Sequence, residues 1–153
     1  MQKTNMKIGI TCSTFDLLHA GHILMLEEAK QYCDYLICAL QTDPTIVRPL
    51  KNKPIQSIVE RYIQLEVVKY VDKIIPYATE SDLIEIFKSF HIDVRIIGQD
   101  YVGKDFTAKD VCADRGIEII YNKREHDYST TQLRARVREG EIKKEKYIDN
   151  LTK

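Results

Sequence analysis

The apolar positions of this chain fall into short runs that alternate with stretches of helical period. Lys7 to Cys12 is the first apolar run, short enough for a buried strand, and an apolar-rich stretch from about His19 to Tyr32 follows it as a helix. Asp34 to Leu40 is a second strand-like run, closed by the turn signal Gln41-Thr42-Asp43-Pro44. Thr45 to Gln56 reads as a loop carrying Arg48, Lys51 and Lys53 between Pro44 and Pro54. Ser57-Ile58-Val59-Glu60 has the capping-box pattern and opens a helix running through Arg61, Leu65 and Val68 to about Tyr70. Val71 to Pro76 predicts a short strand, Glu80 to Phe90 an amphipathic helix, and Asp93 to Gly98 a further strand. A helix over Lys109 to Arg115 and a last strand over Ile117 to Tyr121 follow, and Ser129 caps a final helix through Arg138.

Alternation of this kind predicts an α/β fold: a Rossmann-like, doubly wound, five-stranded parallel sheet with helices on both faces. Ligands of such sheets sit outside the carboxyl ends of the strands, near the switch in strand order. The turn from Thr14 to His22 follows the first strand, Gly98-Gln99-Asp100 the fourth, and Arg124 to Thr131 the fifth. The polar residues of interest are therefore expected on one edge of the sheet.

The turn after the first strand carries the most pointed chemistry. A strand entering a helix through a short polar turn leaves free backbone N–H groups at the positive end of a helix dipole, which suits phosphate. His19 and His22 stand at i and i+3, with Gly21 between them leaving room for a phosphate. Both imidazoles can donate to one developing negative charge. Spacing alone also admits two plainer readings, an incidental helix cap or a pair of metal ligands. No third ligand or H-E-x-x-H glutamate accompanies them.

Composition adds bounds. The 153 residues suit one domain, with a core from about residue 7 to 138 and a solvated tail over 139–153 that includes Lys143, Lys144 and Lys146. Lys and Arg number 23, as do Asp and Glu, so no overall field argues for nucleic acid or membrane. Cys12, Cys33, Cys38 and Cys112 form no C-x-x-C pair and read as reduced, buried thiols of a cytoplasmic protein. No apolar leader or spanning segment is expected.

Ser13-Thr14-Phe15-Asp16 followed by His19-Ala20-Gly21-His22 resembles the G-T-F-D and H-x-G-H signature of the nucleotidyltransferase superfamily. Arg124-Glu125-His126-Asp127-Tyr128-Ser129-Thr130-Thr131 resembles the R-x-x-x-x-S-T-T of cytidylyltransferases. The two motifs stand in the right order, about a hundred residues apart. From roughly Lys7 to Val137 the chain is most similar to cytidylyltransferases of the glycerol-3-phosphate type.

That resemblance implies transfer of CMP from CTP to a small phosphorylated acceptor, glycerol 3-phosphate first, with release of pyrophosphate. Phosphoethanolamine, a sugar phosphate, or ATP as donor are the alternatives. It implies triphosphate contacts from His19 and His22, backbone donors at Thr14 and Phe15, room at Gly21, and capture of the β- and γ-phosphates by Ser129, Thr130 and Thr131. Arg124 would offset charge on the leaving pyrophosphate, and Asp100 would orient ribose or base. Lys69 would act on the nucleotide side, and Lys51 and Lys53 would hold the acceptor. Mg²⁺ would bridge nucleotide phosphates without a dedicated protein cage, and a homodimer is expected.

The chain departs from the family pattern in three ways. Ser13 replaces a glycine, which would cost strain if the turn needs positive φ there. Glu125 and Asp127 add like charge beside a triphosphate. Ala78 to Leu83 lacks the aromatic and lysine pattern of close relatives. A nucleotide-binding module without catalysis is therefore the competing class. An RNA-binding role is disfavoured, because no basic face with interleaved aromatics is present.

Overall fold

The computed structural model describes residues 5–152. Its order is β1 (Ile8–Ser13), α1 (Ala20–Lys30), β2 (Tyr35–Gln41), α2 (Ile58–Glu66), β3 (Lys73–Tyr77), α3 (Glu80–Ser89), β4 (Val94–Gly98), α4 (Lys109–Asp114), β5 (Glu118–Asn122) and α5 (Thr130–Leu151). Short 3₁₀ turns at Pro44–Ile46 and Gln99–Tyr101 follow β2 and β4.

The five strands are all parallel, in the order β3-β2-β1-β4-β5. Both faces of the sheet are covered, so strand residues are apolar on alternate sides. Leu36, Cys38 and Leu40 of β2 pack with Phe15, Leu26, Leu65 and Val94 on one face. Ile37 and Ala39 pack with Tyr77, Phe87 and Cys112 on the other.

The chain winds outward from β1 to β3 and then returns to place β4 against β1. The switch in strand order therefore falls between β1 and β4. Their pairing is short: Gly9 opposes Val94 and Ile10 opposes Arg95. By contrast β1 and β2 pair from Ile8 to Ser13. The carboxyl halves of β1 and β4 are free to part, and a cleft opens between them.

Two expected helix ends are corrected. The helix capped by Ser57 stops at Glu66 rather than near Tyr70. The final helix does not stop near Arg138 but runs to Leu151, so most of the expected tail is helix. Gly140 costs about 1 kcal/mol relative to alanine in a helix. The Glu- and Lys-rich segment around it supplies strong helix formers and i,i+4 pairs that offset this. No residue of α5 is buried, so Lys143, Lys144 and Lys146 do lie on a solvated helix.

Candidate active site

The residues between β1 and α1 form the upper wall of the cleft. Two non-glycine residues there, Phe15 and Leu17, have φ of 50°. Ser13, where strain was anticipated, ends β1 without positive φ, and its Oγ accepts from Phe15 N–H at 3.4 Å. The strained conformation is thus held two and four residues later, flanking Asp16. Asp16 is 6% exposed and accepts from the N–H groups of Ile55 and Gln56, both at 2.9 Å, and from Arg134 at 3.1 Å. Burial would raise its pKa, but these donors outweigh burial and hold the carboxyl below its ordinary range. Asp16 therefore braces the turn, pinning the β2–α2 loop and α5 to it.

Arg61 performs a similar task from below, and nothing in the motif search singled it out. It is 2% exposed on α2. Its guanidinium donates to the carbonyls of Thr14 (2.9 Å), Gln41 (2.6 Å) and Thr42 (2.5 Å), and its Nε to Gln56 O (3.1 Å). One side chain thereby ties the β1 turn, the end of β2 and the start of α2. The available signal was its register: Arg61 lies at i−4 from Leu65 and i−7 from Val68, on the apolar stripe of the helix.

The two histidines form the cap of α1. His19 is the N-cap, and its Nδ1 accepts from Gly21 N–H at 3.0 Å. His22 Nδ1 accepts from His19 N–H at 3.3 Å. Their rings lie 4.0 Å apart. With each Nδ1 used as an acceptor, the neutral ring carries its proton on Nε2. His19 Nε2 lies 3.2 Å from Thr130 Oγ1, which links α1 to the first residue of α5. Burial, followed by the charge of His19, lowers the His22 pKa to about 4. Burial, then His126 and Arg124, also lowers that of His19. Both are therefore neutral near pH 7 and serve as oriented N–H donors, the capping and anion readings combined in one geometry.

The cleft has two lobes that share Cys12, Ser13, His22, Lys51, Ile97, Tyr101 and Thr130. The lobe over β5 and α5 gathers His19, Gly21, Asp100, Arg124, Ser129, Thr130 and Thr131. Ser129 caps α5 by accepting from Gln132 N–H at 3.1 Å. Arg124 donates to Tyr128 O at 3.2 Å. Asn122, buried at the end of β5 with its Nδ2 unpartnered, joins this lobe and carried no sequence motif. Glu125 lines it too, whereas Asp127 does not. The lobe over β2 and α3 takes Thr14, Phe15, Arg48, Lys51, Tyr77, Glu80, Arg95 and Arg134.

Three expected positions fall elsewhere or serve differently. Lys69 lies in the turn before β3, at the amino edge of the sheet, with its ammonium 4.9 Å from the Tyr70 ring centroid. A residue just ahead of a parallel strand cannot reach the carboxyl edge where the histidines sit. Lys53 lines neither lobe and offers only its backbone carbonyl, to Arg134 at 3.1 Å. At Gly21 the space is already filled: a Cβ would meet His126 Cε1, His19 Cε1 and Tyr128 O, each at 2.9 Å. The missing side chain makes room for His19 and the β5–α5 loop to close on the turn.

The chain is similar to known proteins in both sequence and fold. The glycerol-3-phosphate cytidylyltransferase of Bacillus subtilis is 39% identical over 132 residues, which cover 86% of this chain and 98% of that protein. The enzyme of the same name from Staphylococcus aureus is 38% identical over 130 residues, 84% of this chain and 93% of the relative. In fold, the chain resembles the lipopolysaccharide core biosynthesis protein of Thermoplasma volcanium, with a TM-score of 0.66, 24% identity, and coverage of 79% and 99% of the two chains. Residues 10–136, from the middle of β1 into α5, match the family described as cytidylyltransferase-like. The chain belongs to that family of nucleotidyltransferase enzymes.

Proposed function

We propose that this enzyme transfers CMP from CTP to glycerol 3-phosphate, forming CDP-glycerol and pyrophosphate. The observation that carries the proposal is the pair of neutral imidazoles at the switch point, each with Nδ1 fixed as an acceptor and its proton on Nε2, His19 Nε2 lying beside the amino end of α5. An acceptor phosphate oxygen attacks the α-phosphorus, and the bond to the β-phosphate bridging oxygen breaks in line. Charge then grows on oxygens that fixed donors can stabilise without reorganising. His19 and His22 supply two donors, the free N–H groups at the start of α5 hold the outer phosphates, and Arg124 takes the charge of the leaving group.

The cleft lining carries cationic donors, Arg48, Lys51, Arg124 and Arg134 among them, alongside carboxylates such as Asp16, Glu80, Asp100 and Glu125. Among the described residues no three His, Cys, Asp or Glu side chains converge as a metal cage. That donor set fits Mg²⁺ held by the nucleotide's own phosphates, where it would neutralise charge between them. The relatives named for glycerol 3-phosphate support the acceptor. Lys51, Arg48 and Arg134 on the second lobe suit its phosphate. Among the described residues no helix is long and apolar enough to cross a membrane, and the buried free thiols suit a cytoplasmic setting. Val59, Ile63 and Val67 of α2, at 63%, 58% and 79% exposure and four residues apart, offer the seam of a homodimer.

The test is pyrophosphate release with Mg²⁺, crossing CTP and ATP with glycerol 3-phosphate, phosphoethanolamine and a sugar phosphate. Release with CTP and glycerol 3-phosphate alone is expected. His19→Asn keeps an N-cap acceptor for α1 but removes the imidazole donor. It should lower kcat about a hundredfold or more, and a loss under tenfold would remove His19 from the transition state. CTP binding without release on any acceptor would instead favour a non-catalytic nucleotide-binding module.

A further inference from the structure

Arg95 sits at the last residue pair before β1 and β4 part, opposite Ile10, and so at the floor of the cleft. It is 4% exposed, yet no Asp or Glu among the described residues forms an ion pair with it. Its guanidinium carbon lies between two aromatic rings, 4.7 Å from the centroid of Phe87 and 4.6 Å from that of Phe106. Nη1 donates to the Thr107 carbonyl, while Nε has no partner. The side chain lines the lobe that also holds Tyr77, Glu80, Arg48 and Lys51.

A buried cation without a counter-ion is costly, and a strand facing the α3–α4 core would ordinarily carry an apolar residue there. Stacking between Phe87 and Phe106 recovers part of that cost and fixes the plane of the fork. It does not supply the acceptor that Nε lacks. The lobe above supplies room for a ligand that brings one.

We propose that Arg95 is a specificity-determining residue that reads the oxygen functions at the far end of the phosphorylated acceptor. The acceptor's phosphate lies toward His22 and Lys51, where it must meet the α-phosphorus. Its other end then points down the lobe to Arg95. A short phosphorylated polyol, or the same skeleton ending in a carboxylate, presents oxygens to that fork. An alkyl phosphate does not, and it leaves Nε without an acceptor. This inference rests on the assignment of the second lobe to the acceptor in the proposed reaction.

The experiment compares wild type, Arg95→Met and Arg95→Lys with glycerol 3-phosphate, 3-phosphoglycerate and propyl phosphate, all with CTP and Mg²⁺. Methionine keeps an unbranched stem between the two rings and removes every donor. Wild type should favour at least one oxygen-bearing acceptor over propyl phosphate in kcat/KM, by roughly 10- to 100-fold for a charge-assisted hydrogen bond. Arg95→Met should collapse that ratio by tenfold or more while the KM for CTP stays put, and Arg95→Lys should restore part of it. Which acceptor leads, polyol or carboxylate, identifies the distal group.

A ratio kept within about threefold in Arg95→Met would overturn the proposal and leave Arg95 as a brace for the segment around Thr107. If wild type turns over none of the three, the proposed reaction fails on its own account. Calorimetric binding of glycerol 3-phosphate and 3-phosphoglycerate then decides the role of Arg95. Binding to wild type that Arg95→Met abolishes supports it, and equal binding, or none to wild type, refutes it.

Discussion

His22 shows how one side chain can be a cap, an oriented donor and a pH-sensitive element of stability. Its Nδ1 closes the α1 cap, and its neutral ring is half-buried beside Phe15, with centroids 5.7 Å apart. In the unfolded chain the imidazole titrates near 6.5, whereas in the folded protein burial lowers that to about 4. Between those values the unfolded state binds the extra proton, so stability rises with pH through that window and is lost as pH falls. His22→Gln keeps a polar side chain without the titration. Urea unfolding of both proteins from pH 7 to pH 4 should show wild type losing stability more steeply than the variant. Parallel slopes would mean that the ring is not neutral in the folded state. Asp16 acts in the same acid direction by the opposite route. Its lowered carboxyl pKa stabilises the fold above the ordinary Asp range, and that contribution goes as pH falls through the lowered value.

At the scale of elements, α2 carries the least anticipated work. A capping box at Ser57 and Glu60 starts it, as the sequence pattern foretells. Its inward face then presents Arg61 to the loops that shape the cleft. Removing the guanidinium would leave the carbonyls of Thr14, Gln41, Thr42 and Gln56 short of donors in a buried place. Arg61→Leu should therefore destabilise the protein by about 3 kcal/mol or more, read by denaturant unfolding. It should also raise the KM for CTP, because the β1 turn loses its anchor. A variant with wild-type stability would show that water or the backbone satisfies those groups instead. α5 works differently. Its amino end is tied to His19 through Thr130 and to Asp16 through Arg134, while its remainder stands in solvent.

For the whole molecule, assembly is expected to involve the outer face of α2. Val59, Ile63 and Val67 form one exposed apolar line beside β3, an edge strand of the sheet. An edge and an apolar stripe together suit self-association. Sedimentation should find wild type as a dimer and Ile63→Glu shifted toward monomer with its fold intact. A monomeric wild type would take the stripe out of consideration. Because Arg61 lies on the inner face of the same helix, a dimer built on that stripe would share one element with the cleft geometry.

Period and motif alone determined the order of strands and helices, the parallel sheet, and the convergence of His19, His22, Arg124 and Ser129 to Thr131 on one edge. These follow from local rules: an apolar run between turn signals makes a buried strand, and the residues after parallel strands share an edge. Tertiary structure decided the rest, because it depends on neighbours far away in sequence. Asp16 became a brace only because Ile55, Gln56 and Arg134 come to it. Gly21 proved necessary for the approach of His126 and Tyr128, which lie on another loop. Lys69 falls at the wrong edge because α2 ends at Glu66 and the chain then enters β3. Arg61 and Arg95 are charges on apolar stripes, and pattern reading treats such residues as interruptions. Folding surrounds one with the carbonyls of the loops that wall the cleft and seats the other, between aromatic rings, in its lining.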